Sequence, residues 1–281
     1  MWFGPYQMVD FTESFINRIV QICLLAGKII LEEYEKPRTK ILLKEDSSPV
    51  TDADLKANEI IVERLLKLDK TIPCLSEESN ENNYVFDKEV FWAVDPLDGT
   101  KEFIHRTGDF TVNIGLIKNK KPVFGIVYAP VLDKIWLGYV DHDNKLKESF
   151  RYENVTKGIE PLWDSKRNFV SFPHGEVSLL TSRAHCSDET KNWLNKNFGN
   201  KKTKIIQRGS SIKLCLIAEG SAHVYPRFGR TCIWDTAAGH AVLTSSGGFI
   251  TKTDKSTELI YSGKVYNPPF IASSYDLSAM A

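Results

Sequence analysis

The stretch Trp92-Ala93-Val94-Asp95-Pro96-Leu97-Asp98-Gly99-Thr100 decides how this chain is read. Its apolar start is strand-like and delivers Asp95 to a strand end. Pro96 then removes a backbone donor, and Gly99 permits a tight turn with close backbone approach. Asp95 and Asp98 are thereby expected beside each other in a loop. Paired carboxylates repel, and a divalent cation relieves the repulsion; oxygen-only ligands suit a hard ion such as Mg²⁺. The same residues also read as a plain turn, because Asp, Pro and Gly are turn formers.

Upstream of that stretch, Leu75-Ser76-Glu77-Glu78-Ser79 follows the apolar Ile72-Pro73-Cys74. Glu77 is a candidate ligand or water-orienting group, or part of a solvated acidic loop that continues into Glu81. Earlier still, Thr51-Asp52-Ala53-Asp54 has the form of a capping box with aspartate at its third position. Asp54 is either a helix-start acid or a carboxylate that polarises a threonine hydroxyl. Downstream, Ile233-Trp234-Asp235-Thr236-Ala237-Ala238-Gly239-His240 places Asp235 at the opening of a helix. The small residues let that helix lie close to its neighbours. An aspartate there is ordinarily an N-cap, although a helix start also suits an anion and its metal.

Hydrophobic spacing supplies the frame for these acids. Apolar residues recur at threes and fours from Phe11 to Glu35, giving a helix ended by Pro37, and a second helix starts at Thr51 as N-cap. Val90–Val94, Phe110–Ile117, Val123–Tyr128 and Ile135–Val140 read as strands of a mainly antiparallel sheet. After about Asn168, strand-like pieces (177–180, 204–206, 222–225, 248–251, 270–272) alternate with helical ones (187–197, 211–219, 235–245), which suggests a second α/β layer set. The polar stretch Asp141–Trp163 is expected as loop. Its start, Asp141-His142-Asp143-Asn144-Lys145, lacks the rest of a calcium loop and reads as a hairpin turn. The boundary placed there divides the chain into an N-terminal subdomain, 8–150, with the metal motif, and a C-terminal one, 160–281, that completes the site.

With 281 residues and 42% apolar content, the chain can bury a substantial core. Lysine plus arginine number 36, matching 36 aspartates plus glutamates, so no global field gathers nucleic acid or anionic membrane. An anionic ligand has to be held by local chemistry. The five cysteines are scattered without a C-x-x-C pair, which fits a reduced, cytoplasmic setting. No integral membrane segment is expected, since no apolar run approaches the roughly 20 residues of a span. The N-terminus also lacks the pattern of a signal peptide, and Met1–Gln7 carry no role in this reading. The histidines at 105, 142, 174, 223 and 240 show no metal-ligand spacing and are expected to be structural.

Taken together, the pieces resemble the inositol-monophosphatase superfamily, whose signatures are Asp-Pro-(Ile/Leu)-Asp-Gly-Thr and Trp-Asp-x-Ala-Ala with an upstream Glu-Glu. They stand here as Asp95–Thr100, Trp234–Ala238 and Glu77-Glu78, in the family's order. Lys101-Glu102-Phe103, Arg208–Lys213, Ala218-Glu219-Gly220 and Tyr225–Gly229 look like its branch of CysQ-type 3'(2'),5'-bisphosphate nucleotidases. The resemblance implies a layered α/β fold, an αβαβα sandwich of the sugar-phosphatase type. It also implies two to three Mg²⁺ ions held by Glu77, Asp95, Asp98, Asp235 and the Leu97 carbonyl, with inhibition by Li⁺. Thr100 paired with Asp54, helped by Glu77, would orient the attacking water. Substrate contacts would fall to Gly99, Thr100, Ser182, His185, Gly209, Lys213, Arg227 and Asp235, with Lys44 near the outer metal position. Arg227 is the candidate for a second phosphate. The implied substrate is a small nucleotide bisphosphate, with inositol or fructose bisphosphate phosphatases as siblings and a non-catalytic nucleotide-binding relative as the rival. A homodimer and peripheral contact with the inner membrane are left open.

Overall fold

Two helices start the described chain, each with a side-chain cap. The computed structural model describes residues 11–37, 41–44, 48–79, 83–141, 146–157, 161–163, 175–183 and 187–278. Helix α1 (Glu13–Tyr34) begins where the Thr12 hydroxyl accepts from the Phe15 amide, and it buries Ile19, Ile22, Cys23, Ala26 and Ile30. By length and apolarity alone α1 could cross a membrane, which the reading of the sequence did not anticipate. Its apolar face is instead part of the core. A short antiparallel hairpin, β1 (Ile41–Leu43) with β2 (Pro49–Thr51), leads into α2 (Asp52–Leu68). The expected capping box is present: Thr51 N–H donates to Asp54 Oδ2 at 2.8 Å, and the Thr51 hydroxyl accepts from Ala53.

The first sheet contains β3 (Cys74–Ser76), β4 (Val90–Asp98), β5 (Thr111–Lys118), β6 (Lys121–Ala129), β7 (Lys134–Asp141), β8 (Leu146–Glu153) and β9 (Pro161–Trp163), in that spatial order. Only β3 runs parallel to its neighbour. Helix α3 (Thr100–Ile104) follows β4. The second sheet has the order β11-β10-β12-β14-β13, made of β10 (Val177–Ser182), β11 (Thr203–Arg208), β12 (Val224–Arg227), β13 (Phe249–Lys252) and β14 (Phe270–Ser273). Between these strands come α4 (Asp188–Phe198), α5 (Ile212–Ala218) and α6 (Ile233–Ser245).

Alternating side chains tie the layers together. In β4, Trp92 and Val94 face α1 and α2, whereas Phe91 and Ala93 face α5 and α6. In β14, Phe270 and Ala272 face that same middle layer, and Ile271 faces α4. The result is the αβαβα sandwich, with α5 and α6 between the sheets.

Helix α6 lies unusually close to the first sheet, for a reason visible in the strand register. Ala93, Gly115, Gly125, Gly138 and Ser149 are successive partners across five strands. A Cβ on Gly125 would fall on the Ala238 carbonyl oxygen, and one on Gly138 would fall on the Ser245 hydroxyl. This row of small residues forms a trough for the Ala237-Ala238 face of α6, and that seating fixes where Asp235 emerges.

Two expectations change. The stretch expected as loop after Asp141 contains β8 and β9, both added to the first sheet. The charges of Leu146–Glu153 hid a period of two in which Phe150 and Tyr152 pack on the core. The expected turn itself, 142–145, lies outside the described residues, as do Met1–Gln7, His142, His174, His185, Cys186 and Glu81. The second change is at Asp95-Pro96-Leu97-Asp98, which is not a loop beyond the strand. Strand β4 continues to Asp98 with a register shift between Asp95 and Asp98.

Candidate functional site

That shift creates the site. Asp95 Oδ1 accepts from the Leu97 amide at 3.0 Å across Pro96, which turns the strand end so that both aspartates point to one side. Gly99, at φ 94, then starts α3 in the left-handed region, where glycine carries no Cβ penalty. The parallel pairing of β3 with β4 brings Glu77 alongside, through its amide to the Val94 carbonyl at 3.1 Å. Helix α6 supplies the last acid from the opposite half. Asp235 is the third residue of that helix rather than its N-cap, and its Oδ2 accepts from the Cys232 amide at 2.8 Å.

One carboxylate oxygen each from Glu77, Asp95 and Asp235 lie within 4.8 Å of one another. Asp98 lines the same cavity but stands outside this trio, because its Oδ2 is held by the Ser211 amide at 2.6 Å and approached by Asn113 Nδ2 at 3.4 Å. The Leu97 carbonyl is 3.3 Å from the Thr100 hydroxyl, which is also 3.1 Å from Asp54 Oδ1. Asp54 Oδ2 is fixed by the Thr51 amide and hydroxyl. Lys44 bridges Glu77 at 2.8 Å and Glu78 at 2.5 Å.

The electrostatics of the cluster are unfavourable without a cation. Burial first, and then Glu77, Asp98 and Asp235, push the Asp95 carboxyl well above the usual carboxylate range. Asp235 is pushed up likewise, by burial and then by Asp98. Burial raises Asp98 to about 6, opposed chiefly by Lys213. Asp54 is raised by burial against its hydrogen bonds. Burial pulls the Lys44 ammonium down, but Glu77 and Glu78 outweigh it and leave it above its ordinary value. All-oxygen donors that cannot ionise together cheaply form a set suited to a hard divalent ion.

The cavity beside the trio measures about 260 Å³, and Gly99, Thr100, Ser182, Gly209, Lys213, Arg227 and Asp235 all line it. Several of them are already engaged within the protein. The Gly209 amide is not free for a phosphate, since it donates to Asp109 Oδ2 at 3.2 Å. Lys213 is 4% exposed, and its ammonium donates to the Ser210 and Arg208 carbonyls and lies over the Tyr225 ring. It thereby steadies Ser210 at φ 45, in the left-handed region. Arg227 donates to the Ser182 hydroxyl at 2.8 Å and to the Arg230 carbonyl at 3.0 Å, while its Nε is buried without a protein partner. Arg208, Lys101 and Glu102 also line the cavity and were assigned no role from the sequence. Charged turn residues carry no local signal that distinguishes cavity from solvent.

Comparison with known proteins agrees with this arrangement. The sequence profile of the Inositol monophosphatase family matches residues 12–277. A relative from Buchnera aphidicola, named 3'(2'),5'-bisphosphate nucleotidase CysQ, is 39% identical over 95% of this chain and 94% of its own length. A protein of the same name from Salmonella typhimurium is 42% identical over 84% of this chain and 89% of its own length. The crystal structure of CysQ from Bacteroides thetaiotaomicron, described as a bacterial member of the inositol monophosphatase family, superposes with a TM-score of 0.77. It is 34% identical and covers 94% of this chain and 98% of that one. A match running from the helix α1 cap to beyond β14 takes in both sheets and every acid of the cluster, and the chain belongs to the inositol monophosphatase family.

Proposed function

We propose that this chain is a Mg²⁺-dependent phosphomonoesterase that removes the 3'-phosphate of 3'-phosphoadenosine 5'-phosphate, leaving AMP and phosphate. The observation that carries the reading is the convergence of Glu77, Asp95 and Asp235 from three separate elements beside a cavity with cationic walls. Preference for a nucleotide over inositol phosphate is supported by the names of the relatives, which match across nearly the whole chain.

In this reading Glu77, Asp95, Asp98, Asp235 and the Leu97 carbonyl hold the ions. When bound, Mg²⁺ supplies positive charge against the phosphoryl oxygens and the entering and leaving oxygens of the displacement. The chain's own residues handle the water. Thr100 donates to Asp54, so its oxygen lone pairs face the cavity, where they accept a proton from water as the hydroxyl proton passes to Asp54. The double anchoring of Asp54 by Thr51 keeps that relay rigid. Water oxygen bonds to phosphorus, the bond to the ribose 3'-oxygen breaks, and the leaving oxygen takes up a proton from solvent, to which Asp54 returns the one it received. Arg227, which lines the cavity beside Ser182, receives the phosphate that is not cleaved.

The direct test is phosphate release from 3'-phosphoadenosine 5'-phosphate with and without Mg²⁺, beside inositol 1-phosphate and fructose 1,6-bisphosphate. Release from the nucleotide only with the ion is expected. Preference for either sugar phosphate would overturn the substrate assignment, and tight nucleotide binding without release from any of them would favour a non-catalytic relative.

A further inference from the structure

The turn from Arg208 to Ser211 crosses from the second sheet onto the first half of the molecule, and two acids flanking α3 hold it there. Asp98 takes the Ser211 amide and Asp109 takes the Gly209 amide. Asp109 does more than cap that amide. Its side chain is 5% exposed and faces two guanidinium groups, Arg183 Nη2 at 2.9 Å and Arg208 Nη1 at 3.6 Å. The register of β10 and β11 makes this meeting unavoidable. Ser182 and Arg208 are partners on adjacent parallel strands, so Arg183 and Arg208 leave the sheet at the same end.

One buried carboxylate against two guanidinium groups leaves a net positive charge. Arg208 carries it into the cavity lining, which Asp109 itself does not reach. The packing leaves no slack: a Cβ at Gly209 would meet Glu102 Cγ at 2.6 Å and the Asp109 carbonyl oxygen at 2.8 Å. Arg208 is otherwise a half-exposed side chain with many rotamers, and ordering it at the moment of binding would cost entropy. A carboxylate that orders it beforehand lowers that cost.

We propose that Asp109 is a positioning residue for substrate: it holds the Arg208 guanidinium at the cavity rim, where Arg208 meets a phosphate lying away from the acid cluster. The inference rests on the phosphatase reading of the cavity. Asp109 makes no contact with the ligand and acts only through Arg208 and the Gly209 backbone.

The test is a double-mutant cycle of Asp109→Asn, Arg208→Ala and the pair together. Asparagine keeps an acceptor for the Gly209 amide and removes the charge. With 3'-phosphoadenosine 5'-phosphate as substrate, each single variant is expected to raise KM about tenfold while kcat stays within about threefold, the split that marks lost ground-state binding. The double variant is expected to be no worse than Arg208→Ala alone. An unchanged KM in Asp109→Asn, effects that multiply in the pair, or a fall in kcat and melting temperature at constant KM would each overturn the proposal. The affinity for AMP, which keeps the remote phosphate, is read by calorimetry with Mg²⁺ on the same four proteins and is expected to show the same tenfold coupled loss. If the wild type releases no phosphate from the bisphosphate but AMP binding follows this pattern, the nucleotidase reading fails and the role of Asp109 stands. AMP binding absent from the wild type, or unaltered in the variants, removes that role.

Discussion

Helix α6 carries two polar groups little more than one turn apart, Asp235 at the cavity wall and the buried His240, and they have opposite characters. At its start, Asp235 joins Asp95 and Glu77 in a cluster of like charges, and burial with that repulsion raises the pKa values of Asp95 and Asp235. One turn further on, His240 Nδ1 meets the Tyr261 hydroxyl at 3.1 Å. Tyr261 donates to Thr236 at 3.0 Å, and Asn267 donates to the same threonine at 3.0 Å. Burial lowers the His240 pKa to about 3, so the ring stays neutral and its partners match it. Of the two clusters, Asp95 in the first and His240 in the second are each only 1% exposed. One completes itself within the fold; the other is complete only with something the chain does not supply. Burial of a polar group therefore says little about function, whereas an unbalanced charge in a cavity says a good deal.

The largest effect that tests this contrast comes from Asp95→Asn. Phosphate release should fall by about a thousandfold, in line with loss of a charged group at a reacting centre. The metal-free protein should melt no lower than the wild type at neutral pH, because one repelling charge is gone. A large loss of metal-free stability would show the cluster to be structural after all.

A second, intermediate effect is the pH dependence of metal-free stability. Asp95, Asp98 and Asp235 have folded-state pKa values above their ordinary values, so the stability they contribute is present at low pH and lost as pH rises through the folded pKa. His240 has the opposite sign: its contribution is present above its ordinary 6.5 and is lost as pH falls from there towards 3. Thermal melts without metal should therefore rise as pH drops from about 8 towards the ordinary histidine value, where only the carboxylates act. Below it the two trends oppose each other. Saturating Mg²⁺ should flatten or reverse the rise, since it favours the ionised carboxylates. Melts that are flat without metal and rise with it would contradict the sign.

The smallest effect should come from the completed network. His240→Leu leaves the Tyr261 hydroxyl with one partner fewer and is expected to cost about 1–3 kcal/mol in urea unfolding. Catalysis should stay within about threefold of the wild type. The same variant weakens the opposing limb of the pH profile below the histidine value, leaving the share of His223, whose pKa burial also lowers. A loss of turnover as large as that of Asp95→Asn would mean that the two halves of α6 act as one unit.

The elements themselves were largely legible in the residue order, because their periods are strong. The spacing of Phe15, Ile19, Ile22, Cys23 and Ala26 sets α1, and Thr51 with Asp54 sets the start of α2. β8 was missed because Lys147, Glu148 and Arg151 mask its alternation, and β3 because three residues carry no period. The acids of the cluster were legible as motifs, but one by one each read equally well as a cap or a turn. The hydrogen-bond partners of the Gly209 amide and the Lys213 ammonium were illegible for a related reason: they lie far away or in the backbone, where no sequence pattern shows them.

By itself, then, the order of residues determined which segments coil, which extend, and which short acidic motifs interrupt them, since those preferences act over a few neighbouring positions. Tertiary structure decided which acids meet. Glu77 and Asp235 are far apart along the chain, and they come together only because β3 pairs with β4 and α6 settles into the glycine row across the first sheet. Tertiary structure also decided that Asp98 and Asp109 are occupied by the Arg208–Ser211 turn, a pairing across a hundred residues or more that depends on where two separate sheets end.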